Sequence, residues 1–212
     1  MVSSKTNKKK NDVIKFSKML NDKKLSALRS GNISVRHNNG FLITPSGKKY
    51  SSLKVKDIVF VSLDGKYEKK YKPSSEWRFH QDIYIKKKDA QAIVHTHSTN
   101  ATALSVHKKP IPAFHYMVAL AGGNDIKCAK YATYGTRELS KNILKALNNR
   151  KACLIANHGQ IAFDKNLPDA FELAQEVENL SLQYITALNL GKPKILSINE
   201  MNKVLKNAKN YK

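Results

Sequence analysis

Two short apolar segments that each end in histidine constrain the fold of this chain most. Ala92-Ile93-Val94 runs directly into His95-Thr96-His97, and Ala152-Cys153-Leu154-Ile155 is followed, after Ala156, by Asn157-His158-Gly159. Apolar runs this short, bounded by polar residues, favour buried strands over helices. We therefore predict a central sheet in which both segments are strands with their histidines at the strand ends.

Helices and hairpins surround these two strands. Ile33 and Val35 alternate with polar residues, and Asn38-Asn39-Gly40 turns the chain into Phe41-Leu42-Ile43, which predicts a hairpin. Further strands are expected at 58–61 and 160–163, and helices at about 13–28, from Ser74-Ser75-Glu76 onward, at 98–104, at 136–147 and from near Pro168. Because no regular βαβ alternation is present, the pattern predicts an α+β layer structure with a mainly antiparallel sheet.

The length of 212 residues suits one domain, which we place at 11–212. Residues 1–10 are basic and poor in apolar side chains, so they are expected to be a flexible N-terminal segment, with the first helix beginning after them. No apolar stretch reaches the roughly 18–20 residues of a membrane-spanning helix, and no secretory signal core follows the basic start. These features predict a soluble cytoplasmic protein.

Two cysteines and a large charge surplus remain. Cys128 and Cys153 lack the paired spacing of a metal clip or a disulfide framework, so they are interpreted as small buried apolar residues. Lys and Arg number 38 against 16 Asp and Glu, a net charge of +22, which makes nucleic-acid binding a rival function. The basic residues are dispersed, with clusters only at Lys8-Lys9-Lys10 and Lys86-Lys87-Lys88, and no nucleic-acid-binding motif accompanies them. The pattern therefore disfavours nucleic acid as a partner.

Three histidines form a candidate catalytic metal site. Alternate residues of an extended segment point to the same side, so His95 and His97 can face one point. His158 also follows an apolar strand, and Gly159 beside it permits close backbone approach. Three imidazoles leave one zinc position open, as catalysis requires.

Glu76 is the candidate acid or base, although the residues alone leave its role open. It follows two serines at a predicted helix start, where hydroxyl and backbone N–H groups can hold a phosphate. A first-turn glutamate that only stabilises the helix dipole is the alternative. In the same way, Gly31-Asn32 and Thr44-Pro45-Ser46-Gly47 are either simple turns or anion-binding backbone nests.

Taken in order, these segments resemble the class II aldolase/AraD family over nearly the whole chain, from about residue 12 onward. The matching strings are Ser30-Gly31-Asn32-Ile33-Ser34-Val35-Arg36, Ile43-Thr44-Pro45-Ser46-Gly47, Pro73-Ser74-Ser75-Glu76-Trp77-Arg78-Phe79-His80, Val94-His95-Thr96-His97 and Asn157-His158-Gly159. Two longer strings are similar to the L-fuculose-1-phosphate aldolases within it, namely Ile111-Pro112-Ala113-Phe114-His115-Tyr116-Met117 and Tyr131-Ala132-Thr133-Tyr134-Gly135-Thr136-Arg137-Glu138-Leu139. The resemblance implies a three-layer α/β/α fold around a mainly antiparallel sheet.

The resemblance also implies a site and a reaction. One zinc per subunit would be held by His95, His97, His158 and, at rest, Glu76, whose carboxylate then becomes the base. The reaction would be the reversible cleavage of a ketose 1-phosphate, L-fuculose 1-phosphate or a close relative, to dihydroxyacetone phosphate and an aldehyde such as L-lactaldehyde. The implied phosphate-binding residues are Gly31, Asn32, Ser46, Gly47, Ser74 and Ser75.

Two tyrosines and a subunit arrangement follow from the same resemblance. Tyr116, and Tyr211 from the C-terminal tail of a neighbouring subunit, would handle the proton on the aldehyde oxygen. The family is tetrameric with sites between subunits, so a homotetramer is expected. Arg29 departs from the family pattern, because relatives place a hydroxyl or small residue there; its guanidinium could replace the lost phosphate contact.

Three rival functions stay open. Pentulose-5-phosphate 4-epimerases share the zinc fold but resemble the pattern with aspartate where this chain has Glu76, so glutamate favours aldol cleavage. Methylthioribulose-1-phosphate dehydratase is the second, and the string around Tyr116 disfavours it. A basic nucleic-acid-binding protein that keeps the fold without catalysis is the third.

Overall fold

The computed structural model of the protein describes residues 2–210 and has a seven-stranded sheet at its centre. The strands are β1 (Asn32–His37), β2 (Gly40–Ile43), β3 (Val59–Ser62), β4 (Ala92–Thr96), β5 (Ile111–Pro112), β6 (Asp125–Ile126), β7 (Cys128–Ala129), β8 (Ala152–Ile155) and β9 (Gly159–Asp164). The sheet order is β3-β2-β1-β4-β9-β8-β7, while β5 and β6 pair separately. All neighbouring strands of the large sheet are antiparallel except β7 and β8.

Helices cover both faces of this sheet. They are α1 (Val2–Asp22), α2 (Trp77–Lys86), α3 (Thr99–Ser105), α4 (Arg137–Ala146), α5 (Leu167–Asn189) and α6 (Ile198–Asn210). Side chains of α2 and α4 share one buried apolar cluster with the sheet, and side chains of α1, α3 and α5 share the other. The predicted three-layer α/β/α fold with a mainly antiparallel sheet is therefore confirmed.

The alternation of β4 decides where the chemistry lies. Ala92 and Val94 are buried in the cluster of α1, α3 and α5, whereas Ile93 is buried in the cluster of α2 and α4. Because side chains alternate between the faces of a strand, His95 lies on the same face as Ile93. The sheet thus directs His95 toward the start of α2, where Glu76 is the N-cap residue.

Both ends of the chain differ from the prediction. The first helix begins at Val2 rather than after residue 10, and Lys9 Nζ donates a hydrogen bond to Arg36 O over 2.8 Å. Contacts with β1 therefore favour helical structure in a segment whose apolar content alone would not. No helix was predicted after α5, yet α6 is present and packs Met201 into the core.

Within residues 2–210, no helix combines the length and apolar character that crossing a membrane requires.

Candidate active site

Four side chains from three parts of the chain converge beside the central strands. One ligand atom from each of Glu76, His95, His97 and His158 lies within 4.8 Å of the corresponding atoms of the other three. His95 Nε2 is 3.0 Å from His97 Nε2 and 3.2 Å from Glu76 Oε2, and His158 Nε2 is 3.1 Å from Glu76 Oε1. The structure therefore brings together all four residues that the sequence analysis assigned to metal binding.

The local backbone explains why these side chains meet. His95 lies in β4 between β1 and β9, and His97 follows immediately. His158 lies in the tight turn from β8 to β9, where Asn157 takes a left-handed conformation with φ 54°, which asparagine tolerates better than most residues. A Cβ at Gly159 would lie 2.3 Å from Thr96 O, so only glycine allows this turn to approach β4 so closely.

Two of the histidines are arranged to present a ring nitrogen to the cluster. His95 Nδ1 donates to Gln160 O over 2.8 Å, which leaves Nε2 facing the cluster. Burial, reinforced by the neighbouring His95 and His158, lowers the pKa of His97 to about 3. The neutral His97 imidazole can coordinate a cation without first losing a proton.

Glu76 supplies the negative charge. Its side chain is buried, and although burial raises the pKa of a carboxyl group, the adjacent His95 and His158 hold the pKa of Glu76 below its usual range. Its Oε1 is buried and lies 3.1 Å from His158 Nε2, but no hydrogen bond of good geometry reaches it. An ionised, incompletely satisfied carboxylate here is well suited to accept a cation or a proton.

These residues fit a divalent metal such as zinc. Zinc takes imidazole nitrogen and carboxylate oxygen at about 2.0–2.2 Å, so tetrahedral ligands lie about 3.3–3.6 Å from one another. Three pairs in the cluster, at 3.0, 3.1 and 3.2 Å, are only slightly closer than that separation.

The cluster opens into a cavity of about 440 Å³. The cavity lining includes all six residues assigned to phosphate binding, namely Gly31, Asn32, Ser46, Gly47, Ser74 and Ser75. The structure therefore places the predicted phosphate loops and the metal-ligand residues around one space.

A buried tyrosine anchors the loop that contains Ser30 and Gly31. Gly31 has a φ of +77°, and a Cβ there would lie 2.6 Å from His95 O, so glycine suits both the turn and its contact with β4. Tyr50 is buried, and its hydroxyl lies 2.6 Å from Gly31 O and 3.2 Å from Ser30 O. At the rim, Arg29 Nη1 donates to Gly47 O over 2.9 Å, which joins this loop to the loop that contains Ser46 and Gly47.

Some cavity residues had no predicted role, and the predicted catalytic Tyr116 lies elsewhere. Tyr131 and Tyr134, both exposed, and Asn157 line the cavity; they lie in recognised strings but follow no spacing rule that marks a cavity wall. Tyr116 is 55% exposed and lines a separate groove with α6. Within a single chain it therefore lies away from the metal-ligand cluster. Tyr211 lies outside the described residues.

Comparison with known proteins adds an independent observation. Residues 11–185 match the family described as Class II Aldolase and Adducin N-terminal domain. A 5-methylthioribulose-1-phosphate/5-deoxyribulose-1-phosphate aldolase of Rhodospirillum rubrum is 51% identical over 182 residues, 86% of this chain and 82% of the relative. The L-fuculose phosphate aldolase of Escherichia coli K12 is 50% identical over 183 residues, 86% and 85% respectively. A solved L-fuculose 1-phosphate aldolase superposes with a TM-score of 0.92 at 40% identity, over 95% of this chain and 96% of its own.

Proposed function

Because this chain belongs to the class II aldolase family, we propose that it uses zinc to cleave a ketose 1-phosphate reversibly into dihydroxyacetone phosphate and a short aldehyde. Its aldolase relatives make it a carbon–carbon lyase that acts on a small molecule. L-Fuculose 1-phosphate, which gives L-lactaldehyde, or a close relative is the proposed substrate.

One observation supports this proposal most strongly. A carboxylate and three imidazoles that fit a catalytic metal form a cluster, and three of these four groups line a cavity together with three loops rich in glycine and hydroxyl groups. Backbone N–H and hydroxyl groups at such turns suit a phosphate, and the metal-ligand cluster suits the polar carbon atoms next to it. A sugar phosphate is the small-molecule class that combines both features.

The chemistry divides between the metal and the protein. When bound, zinc acts as a Lewis acid that stabilises negative charge on the substrate oxygens as the C3–C4 bond breaks. Cleavage converts the C4 hydroxyl group to the aldehyde and leaves C3 to take up a proton. Glu76, whose Oε1 is not satisfied by a hydrogen bond of good geometry, is the proposed group that delivers that proton and removes it in the reverse reaction.

The phosphate end of the cavity has one feature of its own. Arg29 lines the cavity beside Ser30 and Gly31, and its guanidinium stands where the family pattern has a hydroxyl or small residue. We assign it a charge-assisted hydrogen bond to the substrate phosphate. Phosphate binding would then depend on one exposed cation in addition to hydroxyl and backbone groups.

The aldehyde end separates the candidate substrates. The two relatives named for fuculose phosphate and for 5-methylthioribulose 1-phosphate have nearly the same identity to this chain. Their named substrates are alike at the phosphate, and a pocket distinguishes one methylene by only about 1–3 kcal/mol. Similarity therefore supports the reaction class more strongly than any one aldehyde.

A retro-aldol assay over a substrate panel tests this function. L-Fuculose 1-phosphate, 5-methylthioribulose 1-phosphate and 5-deoxyribulose 1-phosphate would be supplied to the zinc-loaded protein, with dihydroxyacetone phosphate and the aldehyde quantified separately. We expect equal amounts of both products from at least one ketose. Loss of water from a substrate without formation of dihydroxyacetone phosphate, or epimerisation of a pentulose 5-phosphate without cleavage, would replace the aldolase assignment.

Subunit assembly is part of the proposal. The position of Tyr116 outside the cavity of its own chain supports a homotetramer in which a neighbouring subunit supplies Tyr116, and Tyr211 from its C-terminal tail. A mixture of Glu76→Gln and Tyr116→Phe chains, dissociated and reassembled together, tests this directly. Sites between subunits predict recovery of activity in the mixture, because some sites combine an intact Glu76 with an intact Tyr116. If the mixture recovered no activity, each site would take Glu76 and Tyr116 from the same subunit.

A further inference from the structure

A buried chain of hydrogen bonds extends from Glu76 into the layer between β1 and α2. Glu76 Oε2 lies 2.9 Å from Asn32 Nδ2, and Asn32 Oδ1 lies 2.5 Å from His80 Nε2. His80 Nδ1 lies 2.7 Å from Ser34 Oγ, which in turn lies 2.8 Å from the Tyr84 hydroxyl. All five side chains are buried, with exposed fractions between 0% and 6%.

This chain of hydrogen bonds is regular because the spacing of its residues along α2 matches their spacing along β1. Glu76, His80 and Tyr84 are spaced four residues apart along α2, and Asn32 and Ser34 are spaced two residues apart along β1. Four residues of helix rise about 6.0 Å and two residues of strand about 6.6 Å, so the side chains stay opposite one another.

Arg36 lies two residues after Ser34 in β1 and extends the spacing of Asn32 and Ser34 along the strand. Its guanidinium lies 4.8 Å from the centre of the Tyr84 ring, and its Nη2 donates to Tyr84 O over 2.8 Å.

The direction of every hydrogen bond in the chain follows from Glu76. An ionised carboxylate only accepts hydrogen bonds, so Asn32 presents its Nδ2 to Glu76 and its Oδ1 to His80. His80 Nε2 must then carry the proton, and in a neutral imidazole Nδ1 becomes an acceptor from Ser34. Ser34 has used its only proton, so Tyr84 donates to it.

Burial supports the neutral form of His80. Complete burial, with His95 acting in the same direction, lowers the pKa of His80 to about 3, against an opposing effect of Glu76. The sequence of donors therefore stays fixed over the physiological pH range.

We propose that His80 is a positioning residue: the donor sequence Tyr84, Ser34, His80, Asn32 fixes the Asn32 amide so that it holds Glu76 Oε2 and leaves Oε1 facing His158, where it can take the metal or a proton. His80 does not line the cavity, so it acts through Asn32 and Glu76 rather than by contact with substrate. A reversed Asn32 amide would place its oxygen against the carboxylate. This inference rests on the proposed function for its kinetic consequences, but not for its structural ones.

The first test measures the proton on His80 directly. Nitrogen NMR of the zinc-loaded wild-type protein, with the His80 signals assigned from a His80→Gln variant, distinguishes the two neutral tautomers and the imidazolium form. We expect the neutral Nε2–H tautomer throughout the neutral pH range. An Nδ1–H tautomer or a charged imidazole would overturn the deduced donor sequence.

The second test removes one donor. Ser34→Ala deletes the hydrogen bond to His80 Nδ1, and Ser181→Ala is the matched control, because Ser181 is also fully buried but donates only to Val177 O. Partners behind metal ligands typically change metal affinity or activity by about 10–100-fold when removed. Ser34→Ala should therefore weaken zinc binding about 10-fold in a chelator competition and lower kcat at saturating zinc by about 10-fold, with KM within about 2-fold of wild type.

The outcomes separate this inference from the proposed function. Zinc affinity and kcat in Ser34→Ala equal to those in Ser181→Ala would overturn the positioning role. If no ketose phosphate were cleaved by the wild-type protein, the proposed function would fail, while the tautomer and the zinc affinities would still decide the role of His80. Should Ser34→Ala fail to fold, the wild-type tautomer measurement retains the power to reject the proposal.

Discussion

The metal-ligand cluster and the phosphate loops share one cavity but are built differently. In the cluster, His95 and Glu76 are 0% and 6% exposed, and they belong to a central strand and a helix terminus. In the loops, Arg29, Gly47 and Ser75 are exposed and lie outside helices and strands, although Asn32 and Ser74 of the same set are buried. The cluster is thus held by the core, whereas the loops are held by local turns and by a few bonds such as that of Tyr50.

This difference has a physical consequence for substitution. A buried polar or charged group that loses its partner keeps the full cost of burial, so changes in the cluster should be large. An exposed guanidinium is solvated when it loses its partner and is screened by salt, so changes in the loops should be smaller.

Removal of a metal ligand should abolish most activity. His95→Ala, His97→Ala or His158→Ala should each lower zinc content and reduce kcat/KM by about 10³-fold or more, because Lewis-acid stabilisation is worth several kcal/mol and 1.4 kcal/mol is a factor of ten. Metal analysis of the purified variants and the retro-aldol assay provide the two measurements.

His107→Ala is the control for this prediction, because His107 is exposed and outside the cluster. It should retain zinc and activity. Full zinc stoichiometry in all three ligand variants would refute the metal assignment.

Glu76→Gln should have the next largest effect. The amide keeps the size of the side chain but removes its basicity, so cleavage should fall by roughly 10²–10⁴-fold while zinc remains bound through the histidines. Proton exchange between solvent and dihydroxyacetone phosphate should fall in parallel, since it requires the same group. Both rates can be measured on one zinc-loaded preparation.

Glu178→Gln provides a matched carboxylate control. Glu178 accepts hydrogen bonds from the backbone N–H groups of Asn100 and Ala101 at the start of α3, so its loss should lower the free energy of unfolding and spare turnover. Turnover of Glu76→Gln close to that of Glu178→Gln would exclude Glu76 as the base.

The same contrast explains how much could be predicted from the sequence. His95 and His97 could be paired from the alternation of a strand, and the hairpin through Asn38-Asn39-Gly40 from its turn residues, because both depend on neighbouring residues. The partnership of Ser34 and His80 was missed although both repeats are visible in the sequence. This contact could not be predicted because it depends on the register of α2 against β1, which tertiary packing determines.

Packing accounts for the remaining differences. The N-terminal turns of α1 are strongly basic, and residues 1–10 were therefore expected to be flexible; Lys9 is tied to β1 through a contact that no local pattern reveals. Tyr116 was recognised from its string, but a string does not say where the side chain lies relative to the cavity. Local pattern thus predicted most of the large elements but not α6, while contacts between elements determined the helix start and the groove that Tyr116 lines.

Loss of Arg29 should have a moderate effect confined to binding. Arg29→Ala removes a hydrogen bond to a charged group on an exposed loop, for which the low end of about 1.5–3 kcal/mol applies, so KM should rise about 10-fold. The kcat value should change less than about 2-fold, because a contact made equally in the ground and transition states affects binding only. Competitive inhibition by inorganic phosphate should weaken by the same factor as KM.

Lys88→Ala is the charge-matched control for Arg29. Lys88 is exposed beyond the C-terminal end of α2, about 15 Å of helix from Glu76, so it changes the net charge equally without touching the cavity. A rise in KM of the same size in both variants would attribute the effect to general electrostatic attraction, and unchanged phosphate inhibition in Arg29→Ala would remove Arg29 from the phosphate site.

Ionic strength should have the smallest effect on catalysis and also tests the +22 charge. Between about 50 and 200 mM salt we expect kcat to stay constant and KM to rise about 2–3-fold, because the buried cluster is screened little and the exposed loops are screened modestly. Binding to DNA should be weak at physiological salt and should collapse over the same range, since contacts to several phosphates lose about 10³–10⁵ in affinity. A kcat that fell with KM would place salt-sensitive charges in the cluster itself. Tight, sequence-selective DNA binding together with no cleavage of any ketose phosphate would favour a nucleic-acid-binding protein on an aldolase fold, because dispersed surface lysines alone supply no sequence selectivity.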